Sequence, residues 1–170
     1  SHDWDWKAAE ASFQRAMDLA AVRGSVLRGA GILALYLGRV EDAVLLNRRA
    51  VAEDPLSPGA FSALGNACRY AGLHEEARLA AEKALELAPQ RDVTHLILGL
   101  AFLEQGRLEE ALAEMEREPA RIHRVTGLAV VHHAMGRHAE SDAELRQLIE
   151  EFSEDGAYQI AAAYASRRQP

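Results

Sequence analysis

The sequence predicts an all-α fold built from repeated pairs of antiparallel helices, and two observations predict it. The 170 residues include 33 alanines and only five prolines, a composition that favours helix over strand. Three columns of small residues also recur with one shared period, whose length fits two short helices and their turns. The columns are Gly31, Gly65 and Gly99; Gly38, Gly72 and Gly106; and Ala43, Ala77 and Ala111.

The second glycine column predicts where the first helix of each pair ends. Gly38, Gly72, Gly106 and the later Gly136 each follow an apolar helical pattern. A helix commonly ends with a residue in the left-handed conformation, which costs glycine less than any other residue. Alanines recur where two helices cross, because a larger side chain there would push the helices apart.

Prolines predict where the second helix of each pair ends. Pro55 and Pro89 lack an N–H and clash with the preceding turn, so neither can continue a helix. Ser57 is a predicted N-cap, and Pro58 then stands at the first helical position, where proline is favoured. The ten predicted helices span about 4–21, 25–37, 40–53, 58–71, 74–87, 92–105, 108–117, 120–135, 138–152 and 155–167.

The period changes after the third glycine of the turn column. The interval from Gly106 to Gly136 is shorter by four residues than the interval that separates the earlier turn glycines, so part of the repeat has been lost. Pro119 lies where the preceding helix would otherwise still be running. The next repeat is therefore expected to be divergent.

These columns resemble the tetratricopeptide repeat, a 34-residue unit with a Leu-Gly pair, a Tyr, an Ala, a Phe and a closing Pro. The resemblance implies a right-handed superhelical α-solenoid of stacked antiparallel helix pairs. In such a solenoid each pair buries its apolar face only against its neighbours. The most complete unit contains Leu64-Gly65, Gly72, His74, Ala77, Ala84 and Pro89.

In this register the chain is predicted to be one array over residues 1–170. Half-repeats are expected at both ends, which suggests a fragment of a larger bacterial protein. The expected parts are 1–23, the second helix of a truncated repeat; 24–57, 58–91 and 92–121, three repeats; 122–153, a divergent repeat; and 154–170, the first helix of a truncated repeat.

Composition excludes several classes of function. The net charge of −7 and pI near 5.5 argue against binding to nucleic acid or to anionic membranes, because few cations are available to replace counterions. The longest nearly apolar run, 29–38, is far shorter than the ~20 residues of a membrane span. The lone Cys68 fits a reducing compartment, and the predicted location is the cytoplasm.

The resemblance implies that the first helix of each repeat lines a concave groove. Residues spaced by four and three on these helices form a stripe that is offset from the packing stripe. We predict that this stripe binds a peptide or helix of a protein partner. Its residues are Arg28, Ile32, Leu35, Ser62, Asn66, Arg69, Leu96, Leu100, Leu103, Thr126, Val130 and His133, with Tyr36 and Tyr70 at the edge.

Two interpretations stay open for the two halves of this stripe. Leu96, Leu100 and Leu103 either face a ligand, as exposed apolar side chains often do, or pack against the following repeat. The polar positions of the earlier repeats either contact a partner or form an ordinary solvated surface. A subset of the family holds a chaperone carboxylate with Lys and Asn side chains. That clamp is not predicted, because Ile32 stands where an Asn is expected.

Four histidines in the divergent repeat do not predict a metal site. Adjacent histidines on a helix point about 100° apart, and no carboxylate or cysteine completes a known ligand pattern. No metal or cofactor is therefore expected. These histidines are His123, His132, His133 and His138.

A basic cluster near the lost residues is interpreted as a solvated face. Arg117, Arg121 and Arg124 are expected to be balanced by nearby acids. Cys68 falls in a core column, so we expect a buried side chain that is not a nucleophile. The acids near the cluster are Glu114, Glu116 and Glu118.

The predicted function is that of a non-enzymatic scaffold with no small-molecule substrate. No phosphate loop, nucleophile elbow or catalytic triad pattern is present in the sequence. The alternative is a self-association module, in which uncovered end helices pair between copies at Trp6 and Phe13 or at Ile160 and Tyr164. Two short segments, 4–10 and 157–161, also resemble the repeats attached to bacterial adenylate-cyclase-type and winged-helix regulators.

Overall fold

The computed structural model describes residues 9–12, 24–154 and 156–167, and all regular structure in these residues is helical. Residues 9–12 are helical, while the rest of the predicted helix at 4–21 lies outside the described residues. Nine helices have defined bounds in the described part. They are α1 (Gly24–Tyr36), α2 (Val40–Glu53), α3 (Pro58–Tyr70), α4 (His74–Leu87), α5 (Thr94–Glu104), α6 (Leu108–Arg117), α7 (Arg121–Ala134), α8 (His138–Phe152) and α9 (Ala157–Arg167).

The turn glycines adopt the conformation that the sequence predicts. Gly38, Gly72, Gly106 and Gly136 have φ between 72° and 75°. After α1, the N–H of Arg39 donates to the Ala34 carbonyl, and the other three turns repeat this bond. Each first helix thus ends in a left-handed cap that satisfies its last carbonyls.

The second helices of the first two pairs also end as predicted. α2 ends at Glu53 and α4 at Leu87, each two residues before a proline. The intervening residues Asp54 and Ala88, with φ of −136° and −148°, have left the helical conformation, which the residue before a proline disfavours.

The start of α5 differs from the prediction of residue 92. This helix begins at Thr94, because residues 92 and 93 form a turn and Val93 has φ of 66°. The left-handed conformation is a genuine outlier for a β-branched residue, so the surrounding contacts must hold it there.

The chain divides into two compact units, Ser1–Ala88 and Pro89–Pro170. In unit 1, α1 packs against α2 and α3 against α4, and α3 contacts both helices of the preceding pair. Leu27, Ala50 and Ala60 form a buried cluster between these helices. At Gly31 the helices approach so closely that a Cβ would lie 2.5 Å from Asn47 Nδ2.

In unit 2, α5 packs against α6, α7 against α8, and α9 against both α7 and α8. Val125, Leu145, Leu148 and Ala163 form its buried cluster, against which Ile160 packs. Ser141 occupies the alanine column after the lost residues and donates a 2.5 Å hydrogen bond to the Ala129 carbonyl. Ser141 is fully buried, as Ala43, Ala77 and Ala111 of the same column are.

In the residues described by the structure, no helix combines the length and apolar character needed to span a membrane.

Candidate functional site

The predicted stripe of unit 1 lies on two helices that contact each other, α1 and α3. We call it the α1–α3 surface. Of its apolar and aromatic members, Ile32 is 37% exposed, Tyr36 64% and Tyr70 49%. Ser62 is buried, and the remaining positions are half-buried. The surface consists of Arg28, Ile32, Leu35, Tyr36, Ser62, Asn66, Arg69 and Tyr70.

Arg69 is held in place by its neighbours on α3. Its guanidinium carbon lies 4.2 Å from the centre of the Tyr70 ring, a cation–π contact. Its Nη2 donates to Asn66 Oδ1 at 3.4 Å. These contacts reduce the side-chain freedom that a ligand would otherwise have to restrict.

The predicted stripe of unit 2 is more buried than a ligand-facing surface would be. Leu96, Thr126 and Val130 are buried, while Leu100, Leu103 and His133 are half-buried. A Cβ on Gly127 would lie 2.9 Å from Leu96 Cδ1, so Leu96 packs against α7. The leucines were expected either to face a ligand or to pack against the following repeat, and Leu96 packs against the following helix.

The histidines of unit 2 include one close pair. The rings of His133 and His138 have centroids 4.9 Å apart and planes inclined by 54°. Sequence reasoning considered the adjacent residues His132 and His133 and did not foresee this pair across the turn. Among the described residues, no group of three potential metal ligands is present.

The basic cluster of unit 2 is balanced differently from the prediction. Arg117 pairs with Glu114 at 3.0 Å, as expected, but Arg121 pairs with Glu151 through two hydrogen bonds of 2.5 and 2.6 Å. Arg124 donates to the Glu118 backbone carbonyl at 2.8 Å. The prediction that the Glu118 side chain balances this cluster is wrong, because that side chain is 0% exposed and bonds elsewhere.

The buried carboxylate of Glu118 caps the first turn of α5. Its Oε1 accepts hydrogen bonds from the Val93 N–H at 2.9 Å and the Ala120 N–H at 3.2 Å. Its Oε2 accepts from the Leu96 N–H at 3.1 Å. One side chain thereby satisfies the donors of the N-cap and N3 positions, a task that a capping box divides between two residues.

A second buried polar contact joins α5 to α6. His95 is 3% exposed, with Nδ1 2.7 Å from Glu114 Oε2 and Nε2 3.2 Å from the Pro89 carbonyl oxygen. The sequence did not point to His95, and it placed Glu118 in the basic cluster instead of at the start of α5. In the sequence, Pro119 indicates where the repeat becomes irregular. No local pattern, however, connects Glu118 with the start of α5, which lies far earlier in the chain at Thr94.

Cys68 is buried, as predicted. Burial raises the pKa of its thiol to about 12, with a smaller contribution from the nearby Glu76 carboxylate. The thiol therefore stays protonated at neutral pH, and a thiol is a far weaker nucleophile than a thiolate.

Comparison with known proteins supports one family. The family model described as tetratricopeptide repeat matches residues 5–58, 28–92 and 62–122. None of the curated proteins compared matches this chain.

Three solved structures show the same fold at low sequence identity. A thermophilic TPR protein of Thermus thermophilus is 23% identical and covers 95% of this chain and 90% of its own, with a TM-score of 0.81. MamA 41-end from Desulfovibrio magneticus RS-1 is 19% identical, with 89% of each chain covered and a TM-score of 0.69. A repeat protein from Parabacteroides merdae ATCC 43184 is 18% identical and covers 95% of this chain and 67% of its own, with a TM-score of 0.66. The predicted fold class, an all-α solenoid of stacked helix pairs, is confirmed.

Proposed function

Because the chain belongs to the tetratricopeptide repeat family, we propose that it is a non-enzymatic scaffold that binds a short segment of a protein partner along its first helices. Repeat arrays of this kind present extended binding surfaces built from equivalent positions of successive units. The proposed binding groove includes the α1–α3 surface of unit 1. The proposed setting is the cytoplasm, where a lone Cys68 needs no disulfide partner.

The observation that carries this proposal is the exposed apolar character of adjacent first helices. Ile32, Tyr36 and Tyr70 are large side chains that remain accessible on α1 and α3. Aromatic residues are enriched at protein interfaces, and clusters of exposed apolar side chains mark binding surfaces. Tyr36 and Tyr70 also occupy equivalent positions of successive repeats, so the array presents the same group twice.

A helix stack that is already ordered favours this role energetically. The scaffold loses little conformational freedom on binding, so a flexible partner bears most of the ordering cost of ~2–5 kcal/mol. The expected dissociation constant is therefore about micromolar.

Self-association through end helices draws less support. Ile160 is partly buried and packs against the core of unit 2, and Trp6 and Phe13 lie outside the described residues. Tyr158 and Tyr164 are exposed on α9, but six residues place them roughly 120° apart around the helix. Light scattering at high protein concentration tests this alternative, which predicts a dimer.

The groove is tested with peptides selected from a random displayed library on the immobilised protein. Binding is then measured by fluorescence anisotropy for Ile32→Asp and Asn66→Ala, which both lie on the α1–α3 surface. We expect Ile32→Asp to weaken binding by at least about tenfold, because a charge replaces an apolar contact. Leu45→Asp is the matched control, since Leu45 is exposed on the second helix α2. Unchanged affinities for both groove variants would show that the groove assignment is wrong.

A further inference from the structure

A buried histidine of unit 2 lies between two oxygen atoms that accept hydrogen bonds. His95 Nδ1 is 2.7 Å from Glu114 Oε2, and His95 Nε2 is 3.2 Å from the Pro89 carbonyl oxygen. Neither a carbonyl oxygen nor an ionised carboxylate has a hydrogen to donate. A neutral imidazole carries one N–H, whereas the protonated ring donates from both nitrogens. While Glu114 is ionised, only the protonated ring satisfies both contacts.

The second oxygen of Glu114 also has a cationic partner. Glu114 Oε1 accepts a hydrogen bond from Arg117 Nη1 at 3.0 Å. A neighbouring guanidinium favours the charged form of a carboxyl group. If Glu114 carried the proton and donated it to His95, it would lose the charge that attracts Arg117. The proton shared by this site therefore belongs on the His95 ring.

Burial disfavours a charged ring, so nearby negative groups must offset the cost. Helix α5 packs against α6 and α7 within unit 2. Besides Glu114, the buried Glu118 carboxylate lies close to His95, because its Oε2 accepts from the next residue, Leu96. Two cations of α7 are engaged elsewhere, Arg121 with Glu151 and Arg124 with the Glu118 carbonyl. The other titratable or charged residues of the preceding turn and the first turn of α7 are Arg91, Asp92 and His123.

We propose that His95 is a proton-dependent clasp that ties the turn before α5 to α6. As an imidazolium, it donates one hydrogen bond to Pro89 in the turn and one to Glu114 on α6. On deprotonation the remaining N–H stays with the carboxylate, because hydrogen bonds to charged groups are the stronger ones. Nε2 then presents a lone pair to the Pro89 carbonyl oxygen, and that bond is lost.

The turn held by this bond is the entrance to α5. Its last residue is the left-handed Val93, whose N–H depends on the remote Glu118 carboxylate. Without the bond to Pro89 the turn keeps fewer of the contacts that hold it in this conformation. The start of unit 2 should therefore loosen as the pH rises, independently of any partner that the array binds.

The direction of the pH dependence follows from where the proton is held. A solvated histidine of the unfolded chain loses its proton at about pH 6.5. The folded chain holds the proton more tightly, because two acceptors need both N–H groups. The stability contributed by the clasp is thus fully present below about pH 6.5 and is lost as the pH rises through the deprotonation of folded His95.

Nitrogen-15 NMR of the histidine rings tests the protonation state on the wild-type chain. A protonated ring has two N–H nitrogens, and a neutral ring has one N–H and one bare nitrogen. The His95 ring is assigned by through-bond correlation to its own backbone. We expect two N–H nitrogens on His95 at about pH 7.5, where a solvated histidine is mostly neutral. In Glu114→Gln we expect one.

Urea unfolding followed by circular dichroism measures the effect on stability. Wild type and His95→Gln are compared from about pH 5.5 to about pH 8.5, the range in which histidines titrate. Glutamine does not titrate, so the ratio of the two folding equilibrium constants isolates the clasp. We expect this ratio to fall about tenfold across the range. The matched control is His123→Gln, because His123 is a half-buried histidine of α7 in the same unit. It should keep the wild-type pH dependence.

Three results would overturn the proposal. A single N–H on the wild-type His95 ring at about pH 7.5 would show that the ring is neutral, wherever the proton lies. A ratio of wild type to His95→Gln that does not change with pH would show that the proton does not stabilise the fold. An equal change of pH dependence in His123→Gln would attribute the effect to histidines in general. None of these results bears on the binding proposed for the α1–α3 surface.

Discussion

The two units begin an internal first helix in different ways. In unit 1, α3 is capped by its own preceding residue, with the Ala60 N–H donating to Ser57 Oγ at 3.3 Å and Pro58 at the first position. In unit 2, α5 follows the left-handed Val93, which forms no side-chain cap, and Glu118 supplies the acceptors from beyond the end of α6.

This difference shows how a repeat tolerates a deletion. A regular unit restarts its helix with short-range signals that can be copied from one repeat to the next. Where four residues have been lost, the geometry depends on a buried carboxylate and on the contact of His95 with Glu114. Buried polar groups cost free energy unless they are fully bonded, so unit 2 relies on a more exacting arrangement.

The largest effect is expected for Glu118→Ala. This change leaves the N–H groups of Val93, Leu96 and Ala120 without their acceptor in a buried site. We expect the free energy of unfolding of unit 2 to fall by about 3 kcal/mol. Urea unfolding measures the loss, and amide hydrogen exchange at the start of α5 locates it.

Two variants sharpen this prediction. Glu118→Gln keeps one acceptor oxygen but places an amide N–H₂ against a backbone donor, so we expect an intermediate loss. Glu116→Ala removes an exposed glutamate of α6, two residues before Glu118, and should have almost no effect. Equal stabilities of Glu118→Ala and Glu116→Ala would show that the remote cap contributes nothing.

A smaller effect is expected where helices cross in unit 1. In Gly31→Ala the new methyl would lie within 3 Å of three atoms of Asn47, whose Nδ2 donates to the Ala43 carbonyl at 2.8 Å. Asn47 cannot move without losing this bond, so we expect a loss of about 2 kcal/mol in chemical denaturation.

A double-mutant cycle tests the cause of this loss. Asn47→Ala removes the obstructing amide, so Gly31→Ala should then destabilise the protein only slightly. The double variant should therefore lose less free energy of unfolding than the sum of the two single losses. Gly127→Ala is the corresponding substitution in unit 2, where the atoms nearest to the new methyl belong to the side chains of Met115 and Leu96. An equal cost for Gly31→Ala with and without Asn47 would rule out this steric explanation.

The regular parts of the fold could be predicted because their signals are local. Gly72 ends a helix and Ser57 begins one by acting on neighbouring backbone groups, and the sequence shows both. Four helices, α2, α4, α6 and α8, have the predicted bounds, and each follows a turn glycine. A turn or capping residue that recurs at a fixed period can be recognised from the sequence alone.

The irregular part could not be predicted, because its determinants act across the chain. Glu118 reads as one more charged residue of an acidic helix end, and only the folded arrangement brings it to Val93. The burial of Leu96 also depends on contacts between distant parts of the chain. Leu96 lies at a repeat-equivalent position, but α7 packs against it at Gly127. The sequence predicts which helices carry the candidate surface, and tertiary packing decides which side chains stay accessible.

The smallest effect is expected for the local cap of unit 1. Ser57→Ala removes one hydrogen bond to the Ala60 N–H at a half-buried site where water can replace the acceptor. We expect a loss of about 1 kcal/mol, well below that of Glu118→Ala, since replacement of an N-cap serine typically has this cost. Ser25→Ala, at an exposed serine in the first turn of α1, is the control and should be neutral. If urea unfolding gave equal losses for Ser57→Ala and Glu118→Ala, burial would not be what distinguishes the two caps, and the deletion would have placed no special demand on unit 2.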